Sequence, residues 1–171
     1  QEGLDAFFRK DYATAVKEFR MSAEQGNASA QYSLGVIYSK GFGVPIDNKL
    51  AIKWFRKSAE QGNANAQYNL GVMYGKGRGV PRDFKLAIKW YRKIGEQGHA
   101  YAQHNLGVMY EKGEGVPRNY VLAYMWFNLS ATNEDKDAEK KRNLVERKMT
   151  SSQIENAQRL TREWVEKHRK K

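Results

Sequence analysis

Apolar residues recur at helical spacing along the chain, in blocks separated by glycine-rich turns. In the block after residue 28, Ala30, Leu34 and Tyr38 are four residues apart and share one helix face. The next block has a comparable apolar face, formed by Ala51, Trp54, Phe55 and Ala59. Two consecutive helices joined by a turn predict antiparallel helix pairs, and therefore an all-α fold.

The turn between these helices carries its own sequence signals. Gly41 and Gly43 end the first helix and allow a positive φ in the turn, and Pro45 prevents the helix from continuing. Asp47 then stands where a side chain can cap the second helix. Within the first helix, Gly35 has no side chain, which allows a neighbouring helix to approach closely.

The whole pattern repeats every 36 residues. Residues 26–61 and 62–97 are identical at 26 of 36 positions, and residues 98–133 form a further copy. A partial copy over residues 1–25 precedes them, with a short first helix over 3–9. Of the three close-set glycines Gly75, Gly77 and Gly79, the last two recur with this repeat. They lack the G-x-x-x-x-G-K-[ST] spacing of a phosphate-binding loop and follow no predicted strand, which indicates a structural role.

Residues 134–171 are predicted to cover the last copy. Lys53 and Lys57 mark an exposed face of the second helix, but the corresponding residues of the last copy are Met125 and Leu129. An exposed face that becomes apolar requires a cover. Two capping helices are predicted there, the first marked by Leu144, Val145 and Met149, the second by Ile154, Ala157, Leu160 and Trp164. Thr150 and Gln153 have the spacing of a capping box at the start of the second.

The repeated motifs are A-x-x-x-L-G-x-x-Y, then G-x-G-V-P, then A-x-x-W-[FY], and they resemble the Sel1-like repeat, a relative of the tetratricopeptide repeat. The resemblance implies a right-handed α/α superhelical solenoid of Sel1-like helix pairs, closed by the helical cap. It also implies that the first helices line a concave groove that binds partner proteins.

The predicted partner-binding residues are the side chains that form columns along this groove. They are Ser29, Tyr32, Ser33, Val36 and Lys40 in one copy; Asn65, Tyr68, Asn69, Val72 and Lys76 in the next; and Tyr101, His104, Asn105, Val108 and Lys112 in the last. Aromatic rings, amides and lysines suit an extended or helical segment of acidic character, and the valines supply an apolar floor. The alternative is that the tyrosines pack between repeats and the lysines are only solvated.

The formal net charge of +11 favours an anionic partner, such as a protein with an acidic segment or surface. Nucleic acid is disfavoured because the aromatic residues are assigned to the repeat core, namely Tyr38, Trp54, Tyr74, Trp90, Tyr110 and Trp126. No stretch approaches the roughly 20 apolar residues of a membrane span, so no membrane insertion is expected. A monomer is expected.

Catalysis, metal binding and a cofactor are not expected. The chain has no cysteine, and its three histidines lie in no H-E-x-x-H motif. No serine occupies a nucleophile elbow. Disulfide-rich relatives in the same superfamily have been connected with penicillin binding, but their cysteine pairs are absent from this chain.

The sequence therefore predicts a non-catalytic interaction scaffold or adaptor that binds a partner protein or peptide in its concave groove. The alternative is an immunity protein that neutralises a secreted bacterial effector; nucleic-acid binding and a cell-wall-related enzyme rank below both. The first residue is not methionine and the family is frequently exported, which favours a periplasmic or secreted bacterial protein over a cytoplasmic one.

Overall fold

The computed structural model describes residues 2–132 and 135–168, and these ranges contain helices and no strand, which confirms the all-α prediction. The helices are α1 Glu2–Phe8, α2 Tyr12–Glu24, α3 Ala28–Lys40, α4 Asn48–Glu60, α5 Ala64–Lys76, α6 Phe84–Gly95, α7 Ala100–Lys112, α8 Tyr120–Ala131, α9 Lys136–Glu146 and α10 Ser151–His168. None of them is long and apolar enough to cross a bilayer. The predicted boundary between residues 133 and 134 lies outside the described residues.

The chain divides into two compact units, Gln1–Asp83 and Phe84–Lys171. In the first unit, each helix from α1 to α4 packs against the next helix along the chain. In the second unit, α6 packs against α7 and α7 against α8, while α8 also contacts both α9 and α10.

The close approach predicted at Gly35 is confirmed, and the neighbour is the second helix of the same pair. A Cβ atom placed on Gly35 would lie 2.5 Å from ring carbons of Phe55 in α4. The second unit repeats this arrangement, since a Cβ on Gly107 in α7 would lie 2.6 Å from the ring of Phe127 in α8. A buried aromatic ring therefore occupies the space that a side chain would take in these two pairs.

The turn glycines have the predicted backbone conformation. Gly41 ends α3 with φ 74°, and Gly43 follows with φ 68°. A Cβ on Gly43 would also lie 2.3 Å from Cβ of Tyr12, so this turn packs against the start of the preceding second helix. Asp47 caps α4 as predicted, because its carboxylate accepts a hydrogen bond from the N–H of Leu50. Gly75 lies inside α5 rather than in the turn.

Successive copies are joined by two hydrogen bonds that the sequence analysis did not predict. A buried glutamine of the first helix donates to a carbonyl near the end of the preceding second helix, in the pairs Gln31–Ala23, Gln67–Ala59 and Gln103–Gly95, at 3.1, 2.8 and 2.9 Å. An arginine of that preceding helix donates to a tyrosine hydroxyl, in the pairs Arg20–Tyr38, Arg56–Tyr74 and Arg92–Tyr110, each at 2.6 Å. The recurrence of both arginine and tyrosine every 36 residues is the signal that would have revealed the second set.

The C-terminal helices cover the apolar face of α8, as predicted. Met125 and Leu129 are 7% and 2% exposed, and Trp164 of α10 meets Trp126 edge-on at 6.4 Å. The capping box is present, with the N–H of Thr150 bonded to the Gln153 side chain and the N–H of Gln153 bonded to the Thr150 hydroxyl.

Two details of the predicted cap are wrong. Leu144 lies in α9 but is 50% exposed, so it is not part of the packed face that contains the fully buried Val145. Met149 lies beyond the end of α9 at Glu146, in the connection to α10. Met149 is excluded because α9 ends at Glu146, and Leu144 is exposed because adjacent residues of a helix lie about 100° apart, so it cannot share the face of Val145.

The first prediction concerns the space above Gly35. Helix propensity alone would make Gly35→Ala stabilising by about 1 kcal/mol. Because the new methyl group would overlap the Phe55 ring, we expect a net loss of about 1–3 kcal/mol in the free energy of unfolding. Urea denaturation measures this change, and Ser33→Ala in the same helix serves as the control with a half-exposed site. A Gly35→Ala variant as stable as the native chain would contradict the packing.

The second prediction concerns the N-cap of α7, which differs from the caps of α3 and α5. Asn27 and Asn63 cap those helices, whereas His99 caps α7 by accepting the N–H of Ala102 at Nδ1, 3.3 Å away. Burial lowers the pKa of His99, although a hydrogen bond with its own backbone opposes the shift. The unfolded chain therefore binds a proton more readily at this residue, and acidification below the ordinary histidine pKa of about 6.5 favours unfolding.

We expect His99→Asn to raise the free energy of unfolding by a few tenths to about 1 kcal/mol, with a larger gain at pH about 5.5 than at about 7.5. Thermal melts across this pH range measure the effect. The reverse substitution Asn63→His is the matched control and should introduce the same acid sensitivity at α5. Parallel pH profiles for the native chain and both variants would exclude a role for this cap.

Candidate functional site

The predicted partner-binding residues lie on three helices, and each retains exposed surface. The first set lies on α3, the second on α5 and the third on α7; the most exposed apolar member is Tyr101, at 67%. The structure brings the first two sets together in the first unit, where α3 and α5 are in contact. The third set lies in the second unit.

Several of the polar and aromatic side chains in the first unit are held by local contacts. The Ser33 hydroxyl donates to the carbonyl of Ser29, and the Asn69 amide donates to the carbonyl of Asn65, one turn earlier in each helix. The Tyr32 ring packs at 5.9 Å from the ring of Phe55. These contacts fix the orientation of the side chains on the exposed surface.

An apolar cavity of about 190 Å³ lies beside the α3 residues. Its lining combines predicted residues with residues that the sequence analysis did not select, and consists of Leu4, Phe7, Phe8, Phe19, Tyr32, Ser33, Val36 and Ile37. Phe8 is 77% exposed and Leu4 is 43% exposed. Exposed apolar residues around a concave surface are typical of interaction sites. The adjacent Phe7 and Phe8 in a very short helix were the available sequence signal.

In the second unit, His104 is engaged by the cap. Its Nδ1 lies 3.0 Å from Oδ2 of Asp135, and its ring meets Phe127 edge-on at 5.6 Å. The same Asp135 oxygen accepts a hydrogen bond from the Ser130 hydroxyl, and Oδ1 caps α9 by accepting the N–H groups of Asp137 and Ala138.

The balance of these contacts sets the ionisation of Asp135. Burial raises the pKa of the carboxyl group, but hydrogen bonds from the Ala138 N–H, the Ser130 hydroxyl and His104 outweigh it and hold the pKa below its ordinary value. Asp135 is therefore a carboxylate at neutral pH, and it joins α7, α8 and α9 at one point. A substitution of His104 would report on this junction as well as on binding.

Glu111 extends the contact between α7 and the cap. Its two carboxylate oxygens lie 3.1 Å from Nζ of Lys148 and 3.9 Å from Nζ of Lys141. The Lys148 ammonium also lies over the Tyr120 ring, 5.6 Å from its centre. The C-terminal segment thus occupies part of the α7 surface.

The assignment of all six aromatic residues to the core is wrong for one of them. Trp54 and Trp126 are 8% and 5% exposed, but Trp90 on α6 is only partly buried, and the Lys93 ammonium lies 5.7 Å from its ring centre. The sequence could not reveal this difference in exposure, because tryptophan occupies the same position in all three copies. The exposure of each ring depends on the elements packed around it.

The side chains that could bind a metal or take part in catalysis make structural contacts instead. The three histidines cap α7, bond to Asp135 and stack on Trp164, respectively. Within residues 2–132 and 135–168, no group of three or more histidine, aspartate or glutamate side chains is arranged to hold a metal ion. The arrangement offers shaped and charged surfaces for recognition.

The third prediction separates the two functions of the Asp135 carboxylate. Asp135→Ala should lower the free energy of unfolding by about 3 kcal/mol, because it removes a helix cap and leaves Ser130 and His104 without their partner. Asp47→Ala, which removes a cap at an exposed site, should cost only about 1 kcal/mol. Because the pKa of Asp135 is lowered, the excess stabilisation is present at neutral pH and is lost as the pH falls below the ordinary carboxyl value. Equal losses in urea denaturation would show that the cap alone matters.

The comparisons with known proteins agree with the repeated architecture. The family model of the Sel1 repeat matches residues 1–27, 28–63, 64–99 and 100–135. A Sel1 repeat protein from Oxalobacter formigenes, solved by crystallography, is 37% identical with a TM-score of 0.77; the match covers 83% of this chain and 58% of that chain. The crystal structure of c5321, a protective antigen present in uropathogenic Escherichia coli strains and displaying an SLR fold, is 35% identical with a TM-score of 0.60, covering 92% of this chain and 42% of that chain.

The chain spans about half the length of these solved structures. A comparison with curated proteins found no match. Sel1 repeat proteins generally mediate protein–protein interactions, and their fold is typically a non-catalytic interaction scaffold. The four matched repeats and the solved relatives show that the chain belongs to the Sel1 repeat family.

Proposed function

We propose that this protein is a non-catalytic scaffold that binds a partner protein on the exposed face of α3 and α5. The observation that carries the proposal is the apolar cavity beside Tyr32, Ser33 and Val36, which lies among the residues expected to face a partner. A cavity of this size accommodates one bulky apolar side chain, and such anchors dominate the energy of many interfaces.

The charges around this cavity favour a particular kind of segment. Lys40 lies one turn beyond Val36 on α3, about 6 Å along the helix axis, and Lys76 occupies the equivalent place on α5. Both lysines are exposed and lie at helix C-termini. A partner segment with an apolar side chain in the cavity and a carboxylate one turn away would satisfy both features, which agrees with the net charge of +11.

The acidic residues near the cavity restrict the direction of the segment. Glu2 and Glu18 line a second concavity of about 530 Å³ on the side of α1 and α2, which also includes Ser29 and Ser33. Carboxylates of the partner would be repelled there and attracted toward Lys40. The acidic part of the segment is therefore expected at the C-terminal ends of α3 and α5.

The fourth prediction locates the partner on the protein. A photo-crosslinking amino acid at position 33 or 69, both half-exposed, should capture the same partner from a lysate of the source cells, and the same amino acid at Lys53 on α4 should not. With the partner identified, the double variant Val36→Glu, Lys40→Glu should weaken its affinity about tenfold or more, since both the anchor and the charge contact are lost. The control Lys49→Glu, Lys53→Glu changes two exposed cations of the same unit and should have little effect. Capture from position 53 alone would contradict the proposed face.

A further inference from the structure

A row of exposed cations lies on one face of α6. Lys85, Lys89 and Lys93 follow one another every four residues, which places them about 6 Å apart along the helix axis. All three are exposed, and within the described residues none of them lies at ion-pair distance from a carboxylate. The row is therefore an unbalanced line of positive charge.

This row borders a groove with an apolar floor. A concavity of about 650 Å³ runs along α6 and is lined by the three lysines together with Ile88, Trp90, Arg92 and Glu96. A second concavity, of about 910 Å³, shares Lys93 and Glu96 and is completed by α10 through Trp164, Val165, Lys167 and His168. Trp90 and Val165 retain exposed apolar surface, so the groove offers both charge and hydrophobic contact.

We propose that this groove, formed by α6 and α10, binds an acidic amphipathic helix of a partner protein. A helix that carries glutamate or aspartate at every fourth residue presents its carboxylates at the same spacing of about 6 Å as the three lysines. Apolar side chains next to that acidic stripe would contact Trp90 and Val165, in the manner of an amphipathic helix in a groove. The residues of this groove differ from those proposed on α3 and α5, and the proposal does not depend on the proposed function.

The single acidic residue of the groove determines the register. Glu96 follows Lys93 by three residues and lines both concavities. A partner carboxylate opposite Glu96 would be repelled, so the acidic stripe must end beside Lys93, and a neutral or basic residue must face Glu96.

Two other anionic partners fit the groove less well. The bases of a single-stranded nucleic acid stack on open aromatic faces, but Lys93 lies over the Trp90 ring and His168 stacks on Trp164 at 4.1 Å. A lipid surface requires apolar side chains that can insert, and among the residues lining the groove the large apolar side chain with the greatest exposure is Val165, at 43%. An acidic amphipathic helix fits better, because its carboxylates pair with the exposed lysines and its apolar side chains contact the surface that Trp90 and Val165 leave exposed, without base stacking or insertion.

The fifth prediction uses a synthetic helical peptide as the probe. The peptide is about 16 residues long, roughly 24 Å as a helix, with glutamate at every fourth position and leucines beside that stripe. Fluorescence anisotropy measures its binding to the full chain, and the same peptide with glutamine in place of glutamate controls for charge. The variant Lys85→Glu, Lys89→Glu, Lys93→Glu should weaken binding about tenfold or more.

The matched control is the equivalent row on α4, Lys49→Glu, Lys53→Glu, Lys57→Glu, which has the same spacing and the same change in net charge. It should change the affinity by less than about twofold, since a loss common to both variants would reflect only long-range charge. Equal losses for the two variants would overturn the proposal. Tighter, α6-dependent binding of an oligothymidylate or of anionic phospholipid vesicles would also overturn it. Circular dichroism checks that each variant is folded, and the corresponding glutamine variants replace any that is not.

Discussion

The contact between the second helix of one copy and the first helix of the next is the interaction on which the array depends. A helix pair carries apolar residues on the two faces that it turns toward its neighbours. It cannot bury these faces by itself, so each copy needs the adjacent copies. The buried amides of Gln31, Gln67 and Gln103 make this contact specific, because each donates to a backbone carbonyl that the end of a helix leaves without an intrahelical partner. Misaligned stacking would leave the buried amide donor unpaired, at a cost of about 1–3 kcal/mol, while the carbonyl would keep the hydrogen bond it accepts from the turn after its own helix.

Contacts between helices, within a pair and between copies, also explain the distribution of recurring and varying residues. Positions that bond or pack between helices, such as Tyr38 with Arg20 and Gly35 with Phe55, recur in the later copies with the same or a similar side chain. Positions on the exposed face vary more freely, as Ser29, Asn65 and Tyr101 do. An array of this kind can therefore change its binding surface while its internal contacts stay the same.

Much of the fold could be predicted from the sequence because its signals are local and repeated. The turn glycines, the Asp47 cap and the Thr150–Gln153 box each act within a few residues, and the 36-residue period sets their order. The features that escaped prediction combine distant segments: Asp135 reaches His104, and the cavity at α3 takes its lining from α1. The exposure of Trp90 belongs with these, since a residue identical in neighbouring copies can have different surroundings.

The position of the C-terminal helices has a consequence for how such a protein can evolve. Because α9 and α10 cover the face of α8, and Asp135 and Lys148 hold the cap against α7, an additional copy cannot be joined to that side without losing the cap. A gene duplication that lengthens the array must therefore insert its new copy upstream of α7. The two most similar copies, residues 26–61 and 62–97, lie in that upstream region, while the copy beneath the cap has replaced its surface lysines with Met125 and Leu129. Growth by internal duplication preserves the cover over α8.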